Sequence, residues 1–423
     1  MESLDIKELV RDLKQEYLSI WWETKSDFPI FQQRISLRDK LDNEKKIEVF
    51  RKELFKVLKE MPKEEGQLNA WSNRITTLIN ELELNVAGYE NKTIEFFTSK
   101  GYSNITDLFI REVRSFDPEL DVHDVFQAIR NVWIMNSLQI LFDIEVDLTP
   151  SVFAYSMLYP YSDNYLDDPD VHINDKHSFN KKFKGWLSGE NERAISKNQE
   201  RIYQLVKKIE GQFPRLDYQQ VFDSLVSIHS AQEKSLSQQR AETTPYERDI
   251  LGTTFEKGGT SVLADGYLVK GQLSKKEAKF LFGYGVFLQI IDDLQDMKAD
   301  YENQHSTIFS QLVNKFTLDK LTNKLFWFIE EILMDSDIFS TGDAERLKGV
   351  IHDSCLIMIF EAISKNRKMF SKKYIKEIEE YSMLRFSYYK KLKKKLQQNF
   401  SSEDILNICL ALSRNIEEKQ KAF

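Results

Sequence analysis

Two short stretches of the chain place several carboxylates at helical spacing inside otherwise apolar sequence. In the later stretch, Gln289, Asp292, Asp293 and Asp296 fall at i, i+3, i+4 and i+7, so they share one stripe of a helix. Asp292 and Asp296 are one turn apart, where two negative charges repel unless a cation lies between them. A hard cation such as Mg²⁺ is the simplest partner. The ordinary alternative is a solvated acidic face, since the chain has 67 acidic residues.

The earlier stretch repeats this device at the end of an aromatic segment. Asp163 and Asp167 are again i and i+4, and Asp168 follows directly. Pro160 interrupts the segment, so we expect a kinked or broken helix just before the acidic group. Two such pairs on facing buried helices would hold several Mg²⁺ ions, which share their oxygen ligands with a diphosphate. The chemistry indicated is ionisation of an allylic diphosphate in a dry, aromatic cavity.

Helices must position both stretches, because the composition disfavours other fold classes. The 423 residues include only 15 Gly and 8 Pro, and 41% are hydrophobic. Ser274 and Glu277 predict a capping box at the start of the helix that carries the later stretch. Further helices are predicted near residues 43–61, 67–84, 89–100, 104–115, 122–143, 190–210, 217–240 and 372–399, with a polar connector at residues 169–180.

Charge and targeting signals narrow the classes of partner. The net charge of −8 gives little support to a nucleic-acid partner. The sequence shows neither a targeting signal nor a transmembrane segment, and two cysteines are too few for a disulfide framework. A cytoplasmic location is therefore expected. The lysine run at residues 390–395 is interpreted as a solvated face, with weak association with anionic lipid as the minority interpretation.

The two acidic stretches resemble motifs of a known superfamily. Asp163-Asn-Tyr-Leu-Asp-Asp168 resembles the first aspartate-rich motif of class I isoprenoid synthases. Gln289-Ile-Ile-Asp-Asp-Leu-Gln-Asp296 resembles the second motif of the trans-prenyl diphosphate synthases. The likeness covers roughly residues 70–330 and implies binding of a prenyl diphosphate with three Mg²⁺ ions. The metal ligands it implies are Asp163, Asp167 and Asp292, which are also the catalytic residues, with Asp168, Asp293 and Asp296 in support. The diphosphate contacts it implies are Lys257 in Lys-Gly-Gly-Thr-Ser, Gln289, Gln232, and Arg385 with Tyr389.

Departures from the family pattern favour one activity over another. Asn164 stands where the elongating enzymes have a second aspartate, which gives the first motif a likeness to bacterial large-terpene synthases. The arginine pair expected after that motif and a Gly-Lys-x-x-Arg element upstream are both missing. A class I terpene synthase is therefore the favoured hypothesis. A trans-prenyl diphosphate synthase or other prenyltransferase is the first alternative, and a non-catalytic helical binding protein is the second.

The resemblance also implies an architecture. We expect an all-α, isoprenoid-synthase-type bundle around a central cavity, with extra helices at both ends. The expected parts are an N-terminal helical arm at residues 1–65, the core at 66–340 and C-terminal helices packing on the core at 341–423. Gly285 either leaves room for a prenyl chain or serves helix packing, and a homodimer is left open.

Overall fold

Helices make up the regular structure of this chain. The computed structural model describes residues 5–62, 64–86, 93–167, 171–238, 247–334, 338–401, 403–408 and 411. No β-strand occurs in these residues, which confirms the all-α prediction. The isoprenoid-synthase-type arrangement of the helices stays a prediction.

The helices are numbered in chain order. They are α1 (Ile6–Glu23), α2 (Leu37–Lys59), α3 (Glu65–Asn85), α4 (Thr93–Ser99), α5 (Tyr102–Phe116), α6 (Val122–Leu141), α7 (Pro150–Asp167), α8 (Ile173–Leu187), α9 (Lys197–Gln212), α10 (Gln219–Ser235), α11 (Ile250–Lys270), α12 (Lys275–Glu302), α13 (Asp319–Leu333), α14 (Gly342–Lys365), α15 (Lys372–Glu379) and α16 (Phe386–Asn399).

The chain forms two compact units that do not follow the sequence order. The first contains Met1–Ile30, Leu141–Asp143 and Thr149–Tyr374, and the second contains Phe31–Ile140, Ile144–Leu148 and Ile375–Phe423. The segment predicted as an N-terminal arm therefore contributes α1 to the first unit and α2 to the second. Both acidic stretches belong to the first unit.

The first unit is built around the antiparallel pair α11 and α12. Nearly every residue of α12 from Ala278 to Phe287 is buried, because this half of the helix is apolar on all sides. Helices α1, α7 and α10 contact α11, while α13 and α14 contact α12. Helix α1 is fastened by a hydrogen bond from the Tyr17 hydroxyl to the Lys279 carbonyl oxygen, 2.8 Å long. It is a full member of this unit's core.

The second unit has its own apolar cluster. Trp71, Ile75 and Ile79 of α3 pack against Leu54 and Val57 of α2. The Trp71 indole N–H donates to the Val57 carbonyl oxygen over 2.7 Å, which satisfies the buried polar atom of the ring. Other buried apolar residues of the second unit lie on α6, among them Val125, Ile129 and Val132.

Two element predictions were wrong. Of the connector expected at residues 169–180, residues 173–180 instead form the first half of α8. The ring of His172 caps the start of this helix. The helix expected at 372–399 is two helices, α15 and α16. Between them the Ser382 hydroxyl donates to the Leu384 carbonyl oxygen at 2.8 Å, and the Glu379 carboxylate accepts the Phe386 N–H at 2.6 Å. These side-chain bonds replace helical backbone bonds, so the helix stops and starts again.

Candidate active site

Helix α12 begins at the capping box that its sequence predicted. The Ser274 hydroxyl accepts the Glu277 N–H at 3.3 Å, and the Glu277 carboxylate accepts the Ser274 N–H at 2.8 Å. This pairing fixes the start of the helix, and the rotation of every later residue follows from it. The helix then continues without a break to Glu302, so the second acidic stretch is helical throughout.

A glycine contact brings α11 very close to this stretch. A Cβ atom added to Gly258 would lie 2.5 Å from the Gly285 carbonyl oxygen, and one added to Gly285 would strike the Gly258 carbonyl oxygen. Of the two interpretations of Gly285, the contact supports helix packing. Because the helices are antiparallel, the same register places Thr254 of α11 beside Asp293 of α12.

Asp293 faces α11 and is buried. It is only 5% exposed, its Oδ1 accepts the Gln289 amide at 3.0 Å, and its Oδ2 accepts the Thr254 hydroxyl at 3.4 Å. Burial raises the pKa of Asp293 to about 7, while the hydrogen bond from Gln289 and the charge of Lys257 act in the opposite direction. This carboxylate is held by protein donors on two sides.

Asp292 and Asp296 lie on the exposed side of the same helix. Asp292 receives a longer hydrogen bond, 3.4 Å, from the Gln289 amide, which therefore bridges both neighbouring carboxylates. The Asp296 side chain is 58% exposed, and its Oδ1 is 4.0 Å from the Lys365 ammonium of α14. These two carboxylates are one turn apart and solvent-facing, as metal ligands shared with a substrate need to be.

Lys257 is half-buried on α11, close enough to influence Asp293. Its neighbour Glu256 points elsewhere and pairs with Lys14 of α1 at 2.9 Å and with Lys234 of α10. The hydrogen bonds from both lysines lower the pKa of the Glu256 carboxyl against the opposing effect of burial, which is the largest single influence. Glu256 thus fastens α11 between α1 and α10, which fixes the rotation of the helix that carries Lys257.

The first acidic stretch ends α7. Pro160 lies inside this helix without breaking it. The backbone of Asp163 and Asp167 is helical, whereas their carboxylates and the whole of Asp168 lie outside the described part of the structure. The Tyr165 ring packs on Phe179 of α8 with centroids 4.8 Å apart. At its other end, α7 meets α11, where the Ser151 hydroxyl donates to the Leu268 carbonyl oxygen at 2.7 Å.

Gln232 is half-buried on α10. One helical turn before it lies His229, which the sequence patterns did not predict as a functional residue. His229 is 3% exposed, and its Nε2 has no hydrogen-bond partner among the described residues. Burial lowers the pKa of His229, opposed by the charge of Glu233 and a hydrogen bond to the Asn180 backbone. The Phe183 ring meets the imidazole edge-on at 5.2 Å. The sequence signal that could have found His229 is its position three residues before Gln232, a predicted diphosphate contact.

Two predicted contacts belong to the second unit. The Arg385 guanidinium binds both carboxylate oxygens of Glu44, at 2.9 and 2.6 Å, and the Tyr389 hydroxyl is 3.2 Å from the Ser382 hydroxyl. Binding of a diphosphate by Arg385 stays a prediction, and it would require this bidentate pair to open.

Thr254 and Lys365 were also missed. Thr254 lies one turn before Lys257 and so shares its helix face, which is a usable signal. Lys365 is 70 positions from the Gln295 carbonyl oxygen that it contacts at 3.2 Å, and only the packing of α14 on α12 brings it there.

Asp292 and Asp296 supply hard oxygen ligands on one helix turn, which fits one side of a magnesium site. Within the described side chains, no three His, Cys, Asp or Glu residues converge into a complete site. The carboxylates of α7 that would complete it are outside that set.

No protein-family model, curated protein or solved structure matches the chain. None of the described helices combines the length and apolarity needed to cross a membrane.

Proposed function

We propose that the chain is a class I terpene synthase, which ionises a prenyl diphosphate and cyclises or quenches the carbocation while releasing pyrophosphate. The observation that carries this proposal is the place of α11. It contacts both α7 and α12, the helices that hold the two acidic stretches, and it carries Lys257 on the side of Asp293. One helix can therefore present a cation between two sets of carboxylates.

Distances along the helices support a shared site. The contact between Ser151 and Leu268 joins the first turn of α7 to the last turn of α11. At 1.5 Å per residue, Asp163 lies about 18 Å along α7 from this contact, and Lys257 lies about 17 Å from it along α11. The acidic end of α7 and the lysine are thus equally far from a common point.

Each residue has a distinct role in this proposal. Asp292 and Asp296, with Asp163 and Asp167, would hold Mg²⁺, and bound Mg²⁺ would neutralise the charge that develops on the departing diphosphate. Lys257 would donate a hydrogen bond to a diphosphate oxygen, an interaction that strengthens as the C–O bond breaks. Aromatic side chains before the second stretch, including Tyr284 and Phe287 with ring centroids 5.1 Å apart, exclude water from that part of α12.

A prenyltransferase is the second candidate, because Gln289, Asp292 and Asp293 follow the trans-prenyl diphosphate synthase pattern. The two reactions differ in whether a second substrate is needed. A terpene synthase releases pyrophosphate from an allylic diphosphate alone, whereas chain elongation needs isopentenyl diphosphate.

The test is incubation of the full chain with C10 to C25 allylic diphosphates and Mg²⁺, with and without isopentenyl diphosphate. We expect pyrophosphate release and a hydrocarbon or alcohol product, detected by gas chromatography and mass spectrometry, without the second substrate. Asp292→Asn should abolish release. Glu302→Gln removes the same charge from an exposed position at the end of α12 and should not change it.

If product forms only with isopentenyl diphosphate, the chain is a prenyltransferase and not a terpene synthase. The absence of Mg²⁺-dependent release with every substrate would contradict both and leave a helical binding protein.

A further inference from the structure

Asp292 and Asp293 are neighbours in sequence but differ in their surroundings. Asp292 is exposed, whereas Asp293 is 5% exposed and faces α11. Its two carboxylate oxygens accept from different helices, Oδ1 from Gln289 of α12 at 3.0 Å and Oδ2 from Thr254 of α11 at 3.4 Å. The carboxylate therefore links the two helices at the level of the second acidic stretch.

A magnesium ligand needs a different setting. Mg²⁺ retains several of its waters and shares its remaining positions with substrate phosphates, so its protein ligands must reach solvent. Asp292 and Asp296 meet this requirement, and Asp293 does not. Resemblance alone grouped all three as ligands, because sequence spacing does not distinguish the exposed and buried sides of the stripe.

The Gln289 amide connects the two environments. Its Nε2, which carries two hydrogens, lies within hydrogen-bond distance of both carboxylates, 3.0 Å from Asp293 and 3.4 Å from Asp292. A glutamine bonded in this way orients Asp292. Partners of this kind hold a metal ligand in its binding orientation.

We propose that Asp293 is a positioning residue that anchors Gln289 and Thr254 and so orients Asp292, and that it is not itself a metal ligand. This inference rests on the proposed function, because it assigns roles within the proposed magnesium site. The ligands on α12 are then Asp292 and Asp296, and Gln289 acts through Asp292.

The experiment measures Mn²⁺ binding to the full chain in the presence of inorganic pyrophosphate, by calorimetry or by electron paramagnetic resonance. Asp293→Asn keeps an acceptor for Gln289 and should bind Mn²⁺ within about threefold of the wild type, since the anchoring bonds survive. Asp293→Leu removes them and should weaken binding about 10- to 100-fold. Asp292→Asn makes the same chemical change as Asp293→Asn one position earlier and should weaken binding at least as much as Asp293→Leu.

Coupling with Gln289 gives a second readout. If Asp293 acts through Gln289, the two substitutions should not add. The double variant Gln289→Leu/Asp293→Leu should then bind Mn²⁺ with the same affinity as the single variant that binds it less tightly. Circular dichroism and thermal unfolding of each variant report whether the fold is kept.

Equal losses in Asp293→Asn and Asp292→Asn would make Asp293 a ligand and overturn the inference. Wild-type affinity in Asp293→Leu, or losses that multiply in the double variant, would overturn it as well. By contrast, failure of the wild-type chain itself to bind Mn²⁺ with pyrophosphate would overturn the proposed function.

Discussion

Lys257 is half-buried on α11, and its positive charge acts to lower the pKa of the buried Asp293 on the facing helix α12. Replacing it removes a donor that the proposed reaction uses most strongly in its transition state. Lys257→Gln should therefore lower kcat for pyrophosphate release about 100- to 1000-fold, measured by a continuous pyrophosphate assay.

The matched control is Lys270→Gln at the other end of α11, where the lysine pairs with Glu277 instead of a substrate. It should leave kcat unchanged. A Lys257→Gln enzyme with wild-type kcat would remove the lysine from the proposed chemistry.

His229 predicts a pH dependence of stability. Burial lowers its pKa in the folded chain, so between the folded and the unfolded pKa the unfolded chain binds a proton that the folded chain does not. The contribution of neutral, buried His229 to the free energy of unfolding is complete above about pH 6.5 and is lost as the pH falls below that value. Glu233, Lys184 and the Asn180 backbone are the groups that modulate this titration.

In urea unfolding experiments from pH 7.5 to 5, the wild type should lose stability more steeply than His229→Gln, by at most about 1.4 kcal/mol per pH unit. His123→Gln changes a histidine whose side chain is 65% exposed and should follow the wild type. Parallel profiles for wild type and His229→Gln would contradict the prediction.

At the scale of single elements, the contact between α11 and α12 determines which face of the acidic stretch is buried. Gly258 and Gly285 allow the backbones to approach, and Asp293 rather than Asp292 then meets Thr254. Gly285→Ala puts a methyl group against a backbone carbonyl that cannot rotate away. It should destabilise the fold by about 1–3 kcal/mol or more in chemical denaturation.

Gly211→Ala is the control for helix propensity, since a Cβ atom there meets nothing within 4 Å among the described residues. It should raise stability by about 0.4–1 kcal/mol. Similar effects of the two substitutions would show that the glycine contact is not tight.

Adjacent tryptophans test the packing of α1. Trp21 is 2% exposed and its ring meets Phe328 at 5.2 Å, whereas Trp22 is 71% exposed. Trp21→Ala should lower the free energy of unfolding by about 3–5 kcal/mol, and Trp22→Ala by about 0.5 kcal/mol or less. Equal effects in a denaturant titration would mean that α1 does not contribute to the core of its unit.

Local patterns predicted much of the helical structure and less of the site. The capping box at Ser274 was predictable because both partners lie within four residues of each other. Helix α8 was missed because its first half is polar, although Phe179, Phe183 and Trp186 carry a helical spacing. The break before α16 depends on Ser382 and Glu379 bonding to nearby backbone in place of the helix, which periodicity does not reveal.

The different roles of Asp292 and Asp293 could not be predicted from spacing. Both lie on the polar stripe, and the packing of α11, which places Thr254 beside Asp293 from 39 residues away, decides which one is buried. Lys365 near Asp296 likewise depends on the packing of distant helices.

At the scale of the whole molecule, the proposed ligands should stabilise the folded chain. Mg²⁺ with pyrophosphate binds only the folded site in this proposal, which adds about 2.7 kcal/mol at 100 times Kd. The midpoint temperature of thermal unfolding should rise when both are present and should return to its original value when EDTA is added. Asp292→Asn should abolish the shift and Glu302→Gln should keep it. A shift retained in Asp292→Asn would place the binding elsewhere.

The fastening of α1 has a consequence for synthesis of the chain. Lys14 must wait for Glu256, 242 residues later, before their ion pair can form. At about 5–20 residues per second, a ribosome needs roughly 12–50 seconds to deliver that partner. During this time α11, α12 and α13, against which the apolar side of α1 packs, are not yet complete. Nascent α1 is therefore a natural client for chaperones, and slower translation of the intervening segment should increase aggregation of the newly made protein.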